Sequence, residues 1–369
     1  MSMPRFARRL IRCVSMPLAF GIALSLSAQD SNGLPPFLVQ VPARPAPAVE
    51  SAANAALGAP IVTIVDKPAP SPTGDAHDYI SYARYYWPDS GTPSHMPFVR
   101  RDGHSNEKQV AMGDEPRLVA MEDHVDRLAL GWAVYHLAVY DRRAVEWLQA
   151  WFVNPATRMK PNLDRGQIAL GHDDNRGRGE GILDARGLIG VVDALRMLHG
   201  SAALSDADEA SVHDWFTRYL HWMLSSRIGD AEHGAANNHG SWFLAQAIAI
   251  ARCVGRDDVA RSLASEDILR IASQIEPDGR QPLELARADG LSYSLFNLTA
   301  QFTVARLSEG LGIDLLHYSS PRGSSLVKAV DFLRPYNDAP DKWPGNQIRK
   351  ISPGFLDDIL AEEKSAAMH

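Results

Sequence analysis

The feature that most constrains the fold of this chain is the spacing of its apolar residues, which recur every three or four positions through eight segments. Such a spacing places the apolar side chains in one stripe along an α-helix. The segments comprise residues 116–139, 142–153, 181–198, 206–226, 236–254, 259–274, 292–311 and 323–333. The alternating pattern of a strand is scarce, and its best candidate is the run IVTIV at 61–65. Successive helices joined by polar loops predict an all-α fold in which helical hairpins stack or close into a toroid.

The first 28 residues have the order of a secretory signal peptide. Four arginines precede an apolar run from Val14 to Leu26, and small residues follow up to Ala28. The run is shorter than the roughly 20 residues that a membrane-spanning helix needs. We therefore expect residues 1–28 to be removed, the protein to have no membrane span, and its location to be periplasmic or extracellular.

Residues 29–74 are rich in proline and alanine and show no sustained helical or strand period. This composition predicts an extended leader or tether, which could be free or could wrap the domain surface. The composition changes near residue 75, where aromatic residues cluster and the helical segments follow. We expect a single helical domain over residues 75–365.

Charge and cysteine content exclude several classes of partner and of fold. The formal net charge is −7, and removal of the four arginines in the signal peptide would take it to −11. The protein as a whole therefore has no reason to bind nucleic acid or an anionic membrane, and an anionic ligand would need a local basic site. Of the two cysteines, Cys13 lies in the signal peptide, so Cys253 has no partner for an intrachain disulfide.

Two polar clusters accompany the helical pattern. The first is Asn237-Asn238-His239, at the start of segment 236–254. One asparagine at a helix N-cap satisfies free main-chain amides, but this role leaves the second asparagine and the histidine unexplained. The second cluster lies in GRQPLELARADGLSYS, residues 279–294, and contains Arg287 and Tyr293.

An amide, an imidazole, a guanidinium and a phenol together suit β-elimination at a uronic acid. Arg287 and Asn238 would bind the sugar carboxylate, offset its charge and favour the aci-carboxylate intermediate that forms when C5 loses its proton. A base removes that proton, and an acid protonates the departing oxygen at C4. Tyr293 can do either if its pKa, ordinarily ~10, is lowered by Arg287 or by protonated His239. This chemistry requires no metal and no cofactor.

Three alternatives have weaker support from the residues. A metal site at His239 would use His233 or the acidic loop around Asp174, but the spacings match none of the common zinc or calcium patterns. An inverting glycoside hydrolase with a helical toroid would need two facing carboxylates, for which Asp174, Glu180 and Glu284 are candidates. A polyuronate-binding protein without turnover is the third alternative, and the presence of all four central residues argues against it.

Several blocks of sequence carry a family resemblance over roughly residues 75–350. They include DYISYARYYWP, VRRDGHSNE, the stretch that begins at Pro161, NNHGSWF, PDGRQPLELARADGLSYSLFNLTA and WPGNQI. In these blocks the chain resembles the alginate lyase superfamily of polysaccharide lyases. The resemblance implies an (α/α) toroid or incomplete barrel as the single catalytic domain, with a cleft for an acidic polysaccharide. It also implies that the catalytic centre consists of Asn238, His239, Arg287 and Tyr293.

The chain departs from the expected family pattern after Arg287. Ala288-Asp289-Gly290 stand where the resemblance leads us to expect a Thr-Ser or similar pair. We expect the negative charge of Asp289 to lie near the site and to influence the choice of substrate. The NNHG-W and QPLELAR forms resemble the branch that includes glucuronan and mannuronate lyases more than the alginate-specific branch.

The resemblance also makes further residues candidates for binding a polyanion, although each taken alone fits a surface loop or a packed helix equally well. Arginines could hold sugar carboxylates, and aromatic rings could hold sugar faces. The candidates are Arg176 and Arg178 in a glycine-rich loop, Tyr86 and Trp87, Arg100 and Arg101 in an expected lid, Gln281 at the start of the QPLELAR block, and Trp242, for which packing behind the site is the stronger expectation.

The relative placement of the C5 hydrogen and the C4 oxygen assigns the catalytic roles. Where they lie on the same side of the sugar, as in mannuronate, Tyr293 alone can be the base and then the acid. Where they lie on opposite sides, His239 would be the base and Tyr293 the acid. We therefore expect a secreted lyase that cleaves 1,4-linked polymannuronate, alginate or glucuronan and leaves 4,5-unsaturated ends.

Overall fold

The computed structural model describes residues 34–366, so the expected signal peptide lies outside the described residues. The described chain contains thirteen α-helices, which are α1 (Pro47–Leu57), α2 (Glu107–Met112), α3 (Glu115–Tyr135), α4 (Ala138–Leu148), α5 (Leu188–Leu198), α6 (Asp206–Ser225), α7 (Arg227–His233), α8 (Asn238–Cys253), α9 (Asp257–Gln274), α10 (Pro282–Leu285), α11 (Gly290–Glu309), α12 (Leu326–Leu333) and α13 (Asp357–Ala366). Its four short strands are β1 (Ile80–Tyr82), β2 (Tyr86–Trp87), β3 (Val99–Arg100) and β4 (Arg165–Ile168). The prediction of an all-α fold is confirmed.

Each of the eight segments with helical spacing contains an α-helix, but one of these helices begins seven residues later than predicted. Residues Gly179–Ala185 form a 3-10 turn, and the α-helix starts only at Leu188. In this stretch Gly181 packs directly on the backbone of β4, because a Cβ at Gly181 would lie 2.7 Å from Gly166. The predicted stop of α5 is correct, since the helix ends at Leu198 and Gly200 adopts a left-handed φ of 74°.

The predicted strand IVTIV is wrong. Residues 61–65 have irregular backbone and pair with no strand in the described chain. Ile64 is fully buried in the core, and the carbonyl of Val62 accepts a hydrogen bond of 2.9 Å from the indole of Trp151. The apolar character of the run therefore serves to anchor the segment on the helices.

The segment expected to be a leader without regular structure contains α1, which packs against α3. Its sequence PAVESAANAAL has proline in the first turn and is rich in alanine, the strongest helix former. Ala53 and Ala56 are fully buried, and a Cβ on Gly131 of α3 would lie 2.6 Å from that of Ala53. Small residues thus allow the two helices to approach closely. Because α1 has few large apolar residues, the apolar spacing of the sequence did not reveal it.

The residues before α1 are held by a single buried carboxylate on α5. The main-chain amides of Phe37, Leu38 and Val39 donate to Asp193 at 2.7, 2.9 and 2.9 Å. Burial raises the pKa of Asp193, although these three hydrogen bonds oppose the rise. Of the two arrangements that the sequence left open, the structure shows a leader that wraps the domain.

Helix α8 forms the centre of the core. Every residue from Gly240 to Ala251 is buried, and the helix packs against α5, α6, α9 and α11. A second group forms around α3, which packs against α1, α4 and α5. Each fully buried leucine or isoleucine in these contacts contributes roughly 1.5–3 kcal/mol. Because α8 and α11 are in contact, the two polar clusters of the sequence meet.

Buried polar side chains join α8, α9 and α11. Gln274 Oε1 accepts from Ser241 Oγ and from Asn297 Nδ2, both at 3.0 Å. Asn297 Nδ2 also donates to Gln281 Oε1 at 2.8 Å, and Gln281 Nε2 donates to the carbonyl of Ser294 at 3.0 Å. An unpaired buried polar group costs about 1–3 kcal/mol. The network therefore favours one register of the three helices.

Two small sheets position the loops beside these helices. Strand β1 pairs in parallel with β4, and β2 pairs antiparallel with β3 so that Tyr86 lies opposite Arg100. No helix within residues 34–366 is both long and apolar enough to cross a membrane.

Candidate active site

A cavity of about 680 Å³ opens beside the first turns of α8 and α11. Its volume falls within the range of about 300–1,000 Å³ that is usual for ligand sites. Six arginines and four carboxylates are among its lining residues, namely Arg84, Arg100, Arg178, Arg186, Arg287 and Arg349 with Glu115, Glu180, Asp184 and Glu232. The cavity is therefore net positive in a chain of negative formal charge, which favours an anionic ligand.

The four residues that the sequence singled out all line this cavity. Asn238 and His239 lie in the first turn of α8, and Tyr293 lies in the first turn of α11. Arg287 stands in the loop between α10 and α11. The N-terminal end of a helix carries partial positive charge and free amide donors, so the start of α8 adds to the attraction for an anion.

Asn238 is held in place by a buried glutamate. Its main-chain N and its Nδ2 both donate to Glu284, each at 2.7 Å. Burial raises the pKa of Glu284, while the two hydrogen bonds from Asn238 oppose the rise. Within the described chain, the buried Oδ1 of Asn238 has no hydrogen-bond partner. The neighbouring Asn237 is the N-cap of α8 and accepts from the amide of His239 at 3.3 Å, which confirms the structural role predicted for one asparagine of the pair.

Glu232 orients His239. The two side chains meet at 2.7 Å between Nδ1 and Oε1, and Glu232 is buried. Burial lowers the pKa of His239, but the hydrogen bond and the charge of Glu232 outweigh this effect and leave the pKa above its ordinary value. Among the described residues, none forms a hydrogen bond with Nε2, so this nitrogen remains for a ligand.

Asp102 binds the guanidinium of Arg287. Nε and Nη2 of Arg287 donate to the carboxylate at distances from 2.7 to 3.2 Å, and the amide of Ala288 donates at 3.0 Å. Arg100 forms an ion pair with the same carboxylate at 2.7 Å. Burial raises the pKa of Asp102, but these hydrogen bonds and charges outweigh it and hold the pKa below its usual range. Asp102 therefore stays ionised and fixes the plane of the guanidinium.

The phenol of Tyr293 contacts both Arg287 and a second tyrosine. Arg287 Nη2 donates to the phenol oxygen at 2.8 Å, and its guanidinium carbon lies 3.8 Å from the ring centre. The hydroxyl of Tyr293 donates to that of Tyr85 at 2.8 Å. Burial and the neighbouring Tyr85 raise the pKa of Tyr293, and the opposing effect of Arg287 does not reverse the rise. The lowering of the pKa by Arg287 that the sequence analysis considered is therefore outweighed, and the phenol is neutral at neutral pH.

Arg349 enters the cavity from the C-terminal segment. Its Nε and its main-chain amide donate to the fully buried carboxylate of Asp289 at 2.5 and 2.8 Å. Within residues 34–366, its two Nη groups make no hydrogen bond. The expectation that Asp289 would present a negative charge to the substrate is wrong, because the carboxylate is buried and neutralised by Arg349. Asp289 instead holds Arg349 at the cavity wall, where the guanidinium of Arg349 adds a positive charge.

Comparison with known families and structures agrees with this geometry. A model of the family described as alginate lyase matches residues 63–343. The chain belongs to the alginate lyase family. A crystal structure of an alginate lyase from Bacteroides ovatus is 32% identical, covers 87% of each chain and has a TM-score of 0.83. Alginate lyase A1-III from Sphingomonas species A1 is 16% identical over 86% of each chain, with a TM-score of 0.55, and shows likeness of fold alone. No curated protein sequence matches significantly.

These matches confirm the resemblance, the (α/α) toroid class and the assignment as a polysaccharide lyase. Three of the lyase's candidate binding residues line its cavity. The guanidinium of Arg178 lies 5.2 Å from the ring centre of Tyr86 and forms an ion pair with Glu180. Arg100 reaches the cavity from β3 and is half exposed. Their role in binding substrate stays a prediction.

The other five candidate binding residues of the lyase do not line the main cavity. Gln281 is buried in the network that joins α9 to α11. Trp242 is buried and packs against Phe296, with 5.1 Å between ring centres, as the stronger expectation for it predicted. Arg101 stacks 5.6 Å from the ring centre of Trp87.

Trp87 is also held by its indole, which donates to the carbonyl of His104 at 2.9 Å. Arg176 is exposed and lines a separate small cavity, although it stands only two positions from Arg178. These residues pack around the lyase site or beside it.

The geometry also bears on the alternative chemistries. Both oxygens of Glu284 are occupied by Asn238, and Asp174 is exposed outside the cavity, so neither is placed as the acid or base of a glycoside hydrolase. His233 pairs with Glu266 at 2.7 Å and stacks on Phe243. In the part of the chain that the structure describes, no group of three or more histidine, cysteine or acidic residues is placed to hold a metal ion.

Several residues that shape the lyase site were missed by the sequence analysis. Tyr85 was visible in the run of aromatics, but its contact with Tyr293 was not. Arg349 directly follows the WPGNQI block, which offered a weak signal. Asp102 lies in the VRRDGHSNE block, which offered a signal of the same weak kind. Glu232 carried no signal, because one acid among 44 is not distinguished by type or spacing.

Proposed function

We propose that this lyase cleaves 1,4-linked polymannuronate or glucuronan by β-elimination, with Asn238, His239, Arg287 and Tyr293 as its catalytic centre. The observation that carries the proposal is the meeting of an amide, an imidazole, a guanidinium and a phenol in one net positive cavity. The names of the similar proteins support a polyuronate as the substrate class.

The first requirement of the reaction is to offset the charge of the substrate carboxylate. In the described chain, Nη1 of Arg287 makes no hydrogen bond while Nε and Nη2 are held by Asp102. The Nη groups of Arg349 and Nε2 of a protonated His239 are further donors at the same cavity. Fixed donors directed at developing charge stabilise the aci-carboxylate more than mobile water does.

Tyr293 then acts as base and acid on a sugar whose C5 hydrogen and C4 oxygen lie on the same side. Tyr293 first gives its own proton to solvent, and because burial and Tyr85 raise its pKa, the fraction of phenolate grows as the pH rises. The phenolate then takes the C5 proton, and the resulting phenol gives that proton to O4 as the C4–O4 bond breaks. The enzyme neither gains nor loses a proton over the cycle. Arg287, which donates to the phenol oxygen at 2.8 Å, stabilises the phenolate.

We further propose that the mature lyase acts in the periplasm or outside the cell. The support is the order of charged, apolar and small residues in the first 28 positions. Expression of the full chain followed by N-terminal sequencing of the exported protein tests this proposal. Recovery of an intact N-terminus from the cytoplasm alone would contradict it.

The decisive experiment is digestion of purified polymannuronate, polyguluronate and glucuronan. Elimination forms a C4–C5 double bond, so ultraviolet absorbance should rise with digestion of polymannuronate or glucuronan. Mass spectrometry separates the alternatives, because hydrolysis adds water to the products and elimination does not. Saturated products, or no product from any polyuronate between mildly acidic and mildly alkaline pH, would refute the proposal.

Replacing Tyr293 by phenylalanine tests its role directly. Tyr293→Phe removes the proton-transferring oxygen and keeps the ring, so kcat should fall by roughly 10²–10⁴-fold while the polymer still binds. The measurements are absorbance for turnover and calorimetry for binding. Tyr336→Phe, at a tyrosine that does not line the cavity, is the matched control. Unchanged turnover in Tyr293→Phe would remove Tyr293 from the mechanism.

A further inference from the structure

A second cavity, of about 230 Å³, adjoins the loop that carries Arg178. Three arginines line it, and the complete lining consists of Arg165, Arg176, Arg227, Asp164, Ser226 and Ile228. None of these residues lines the catalytic cavity.

The positive charges of Arg165 and Arg227 in this second cavity are not compensated by paired carboxylates. Arg165 donates to the carbonyl of Asn175 and Arg227 to that of Gly177, each at 3.3 Å. Within residues 34–366, neither guanidinium forms an ion pair with a carboxylate. Each guanidinium has five N–H donors, so most of them remain available.

Two carboxylates lie near the arginines, and neither neutralises the cavity. The carboxylate of Asp164 lines it and accepts from the indole of Trp222 at 2.8 Å. Asp174 comes within 3.8 Å of Arg176, but both side chains are mostly exposed, and such pairs contribute little. Three like charges around one small space repel one another, and a bound anion would relieve that repulsion.

A short, tightly packed piece of backbone connects the two cavities. Arg176 and Arg178 both have extended backbone, with ψ of 159° and 162°. Two extended residues span about 7 Å, a length on the scale of one sugar unit. Between them, a Cβ on Gly177 would lie 2.3 Å from the carbonyl oxygen of Asp164. Because only glycine fits there, the loop backbone packs closely on that of Asp164, which sets the separation of the two arginine Cα atoms.

We propose that Arg165, Arg176 and Arg227 form a distal subsite that binds a carboxylate of the same polyuronate chain beyond the catalytic cavity. This inference rests on the proposed function and names a further binding site for its substrate. The ligand is a uronate unit that is not itself cleaved. A polymer long enough to reach the subsite gains affinity, whereas the shortest cleavable oligosaccharide gains none.

The test compares long and short substrates in Arg176→Gln and in the double variant Arg165→Gln/Arg227→Gln. KM for the polymer should rise roughly two- to fivefold in Arg176→Gln and on the order of tenfold in the double variant. For both variants, kcat on the polymer and kcat/KM on the shortest cleaved oligosaccharide should not change. Arg176 is the cleaner site, because the other two arginines also hold the loop carbonyls.

Control variants and a binding measurement keep the result interpretable. Arg218→Gln and Arg256→Gln remove exposed arginines that line neither cavity and should leave KM unchanged. The same substitutions in the Tyr293→Phe background allow calorimetric binding of polymannuronate or glucuronan without turnover. Wild-type protein that gives no unsaturated product would refute the proposed function, and this binding measurement would still decide the subsite. Equal effects on long and short substrates, or no loss of polymer affinity in either variant, would overturn the subsite.

Discussion

Three acids hold the candidate catalytic side chains. Glu284 binds Asn238, Glu232 binds His239 and Asp102 binds Arg287. Glu232 and Glu284 are almost fully buried, and a buried carboxylate requires hydrogen-bond partners. The acids therefore restrict the orientations of the amide, the imidazole and the guanidinium before a substrate arrives.

Replacing Glu232 by glutamine should lower the pKa of His239. Glutamine keeps an acceptor for Nδ1 but removes the charge that raises this pKa. The measurement is an NMR titration of the imidazole in the wild type and in Glu232→Gln. Glu266→Gln, which removes the carboxylate beside His233, is the control and should leave His239 unchanged. An equal or higher pKa in Glu232→Gln would show that the carboxylate does not act on His239.

The same pair makes a pH-dependent contribution to stability. The pKa of His239 in the folded state lies above the ordinary value of 6.5. Its contribution is therefore fully present below pH ~6.5 and is lost as the pH rises through the folded-state pKa. Urea unfolding across this interval should show wild-type stability falling relative to that of Glu232→Gln.

Replacing Tyr85 by phenylalanine should shift the pH dependence of catalysis. Burial raises the pKa of Tyr293, and the hydrogen bond that its hydroxyl donates to Tyr85 raises it further, so removal of that bond lowers the pKa. The fraction of Tyr293 phenolate at a given pH then increases. The rising limb of kcat/KM against pH should move to lower pH in Tyr85→Phe, measured by absorbance on polymannuronate or glucuronan. A loss of activity without a shift of the limb would assign Tyr85 a different role.

The four central residues could be predicted from sequence, whereas the residues that hold them could not. Asn238 and His239 are adjacent, and Arg287 and Tyr293 are six positions apart, so each pair forms a local pattern of unusual side chains. By contrast, Asn238 and Glu284 are 46 positions apart, and Arg287 and Asp102 are 185 apart. Such partners are set by the packing of helices and loops and have no local spacing.

Among the elements, α1 and α3 show how close approach depends on small residues. Gly131→Ala would place a Cβ 2.6 Å from that of Ala53, so we expect it to destabilise the fold by about 1–3 kcal/mol. Gly190→Ala on α5 is the matched control, because the nearest atom to its Cβ lies 3.8 Å away. This control should be neutral or stabilising by up to about 1 kcal/mol. Denaturant unfolding measures both changes, and equal stability of the two variants would contradict close α1–α3 packing.

Element length explains why three of the helices were not revealed by the apolar spacing. The eight predicted segments each contain two or more helical turns, which is enough for a stripe to repeat. Helices α2, α7 and α10 have six, seven and four residues, too few for a clear period. Helix α1 is long enough, but its packed face consists mainly of alanine, so it shows no stripe of large apolar residues.

For the molecule as a whole, the lyase carries a net positive cavity on a negatively charged chain. Salt screens the attraction between a polyanion and such a cavity, with a Debye length of about 10 Å at 0.1 M. We therefore expect KM for polymannuronate or glucuronan to rise with added NaCl while kcat changes little. Initial rates over a salt series measure this effect. A kcat that falls while KM stays constant would show that charge attraction does not govern binding.

The sequence could predict the helical class and the family, but it could not predict the shape of the cavity. Family blocks and helical spacing are local properties of the chain, whereas a cavity wall combines residues from many segments. Arg349 illustrates this difference, since it reaches the site only because Asp289 is buried beside the C-terminal segment. Gln281 shows the opposite case. It lies in a block that suggested the site, but its side chain is buried in the core and does not line the cavity.

The network of Ser241, Gln274 and Asn297 fixes one part of the site to the core, whereas the other part stands on loops that can vary more freely. It couples the helices that begin at Asn238 and near Tyr293, so the separation of imidazole and phenol is tied to the core. Arginines 287 and 349, Tyr85 and Asp102 stand outside helices and strands. Among them, Arg349 makes no hydrogen bond with Tyr293 or His239, so exchange of its connecting segment can alter which polymer is accepted while the imidazole and the phenol keep their separation.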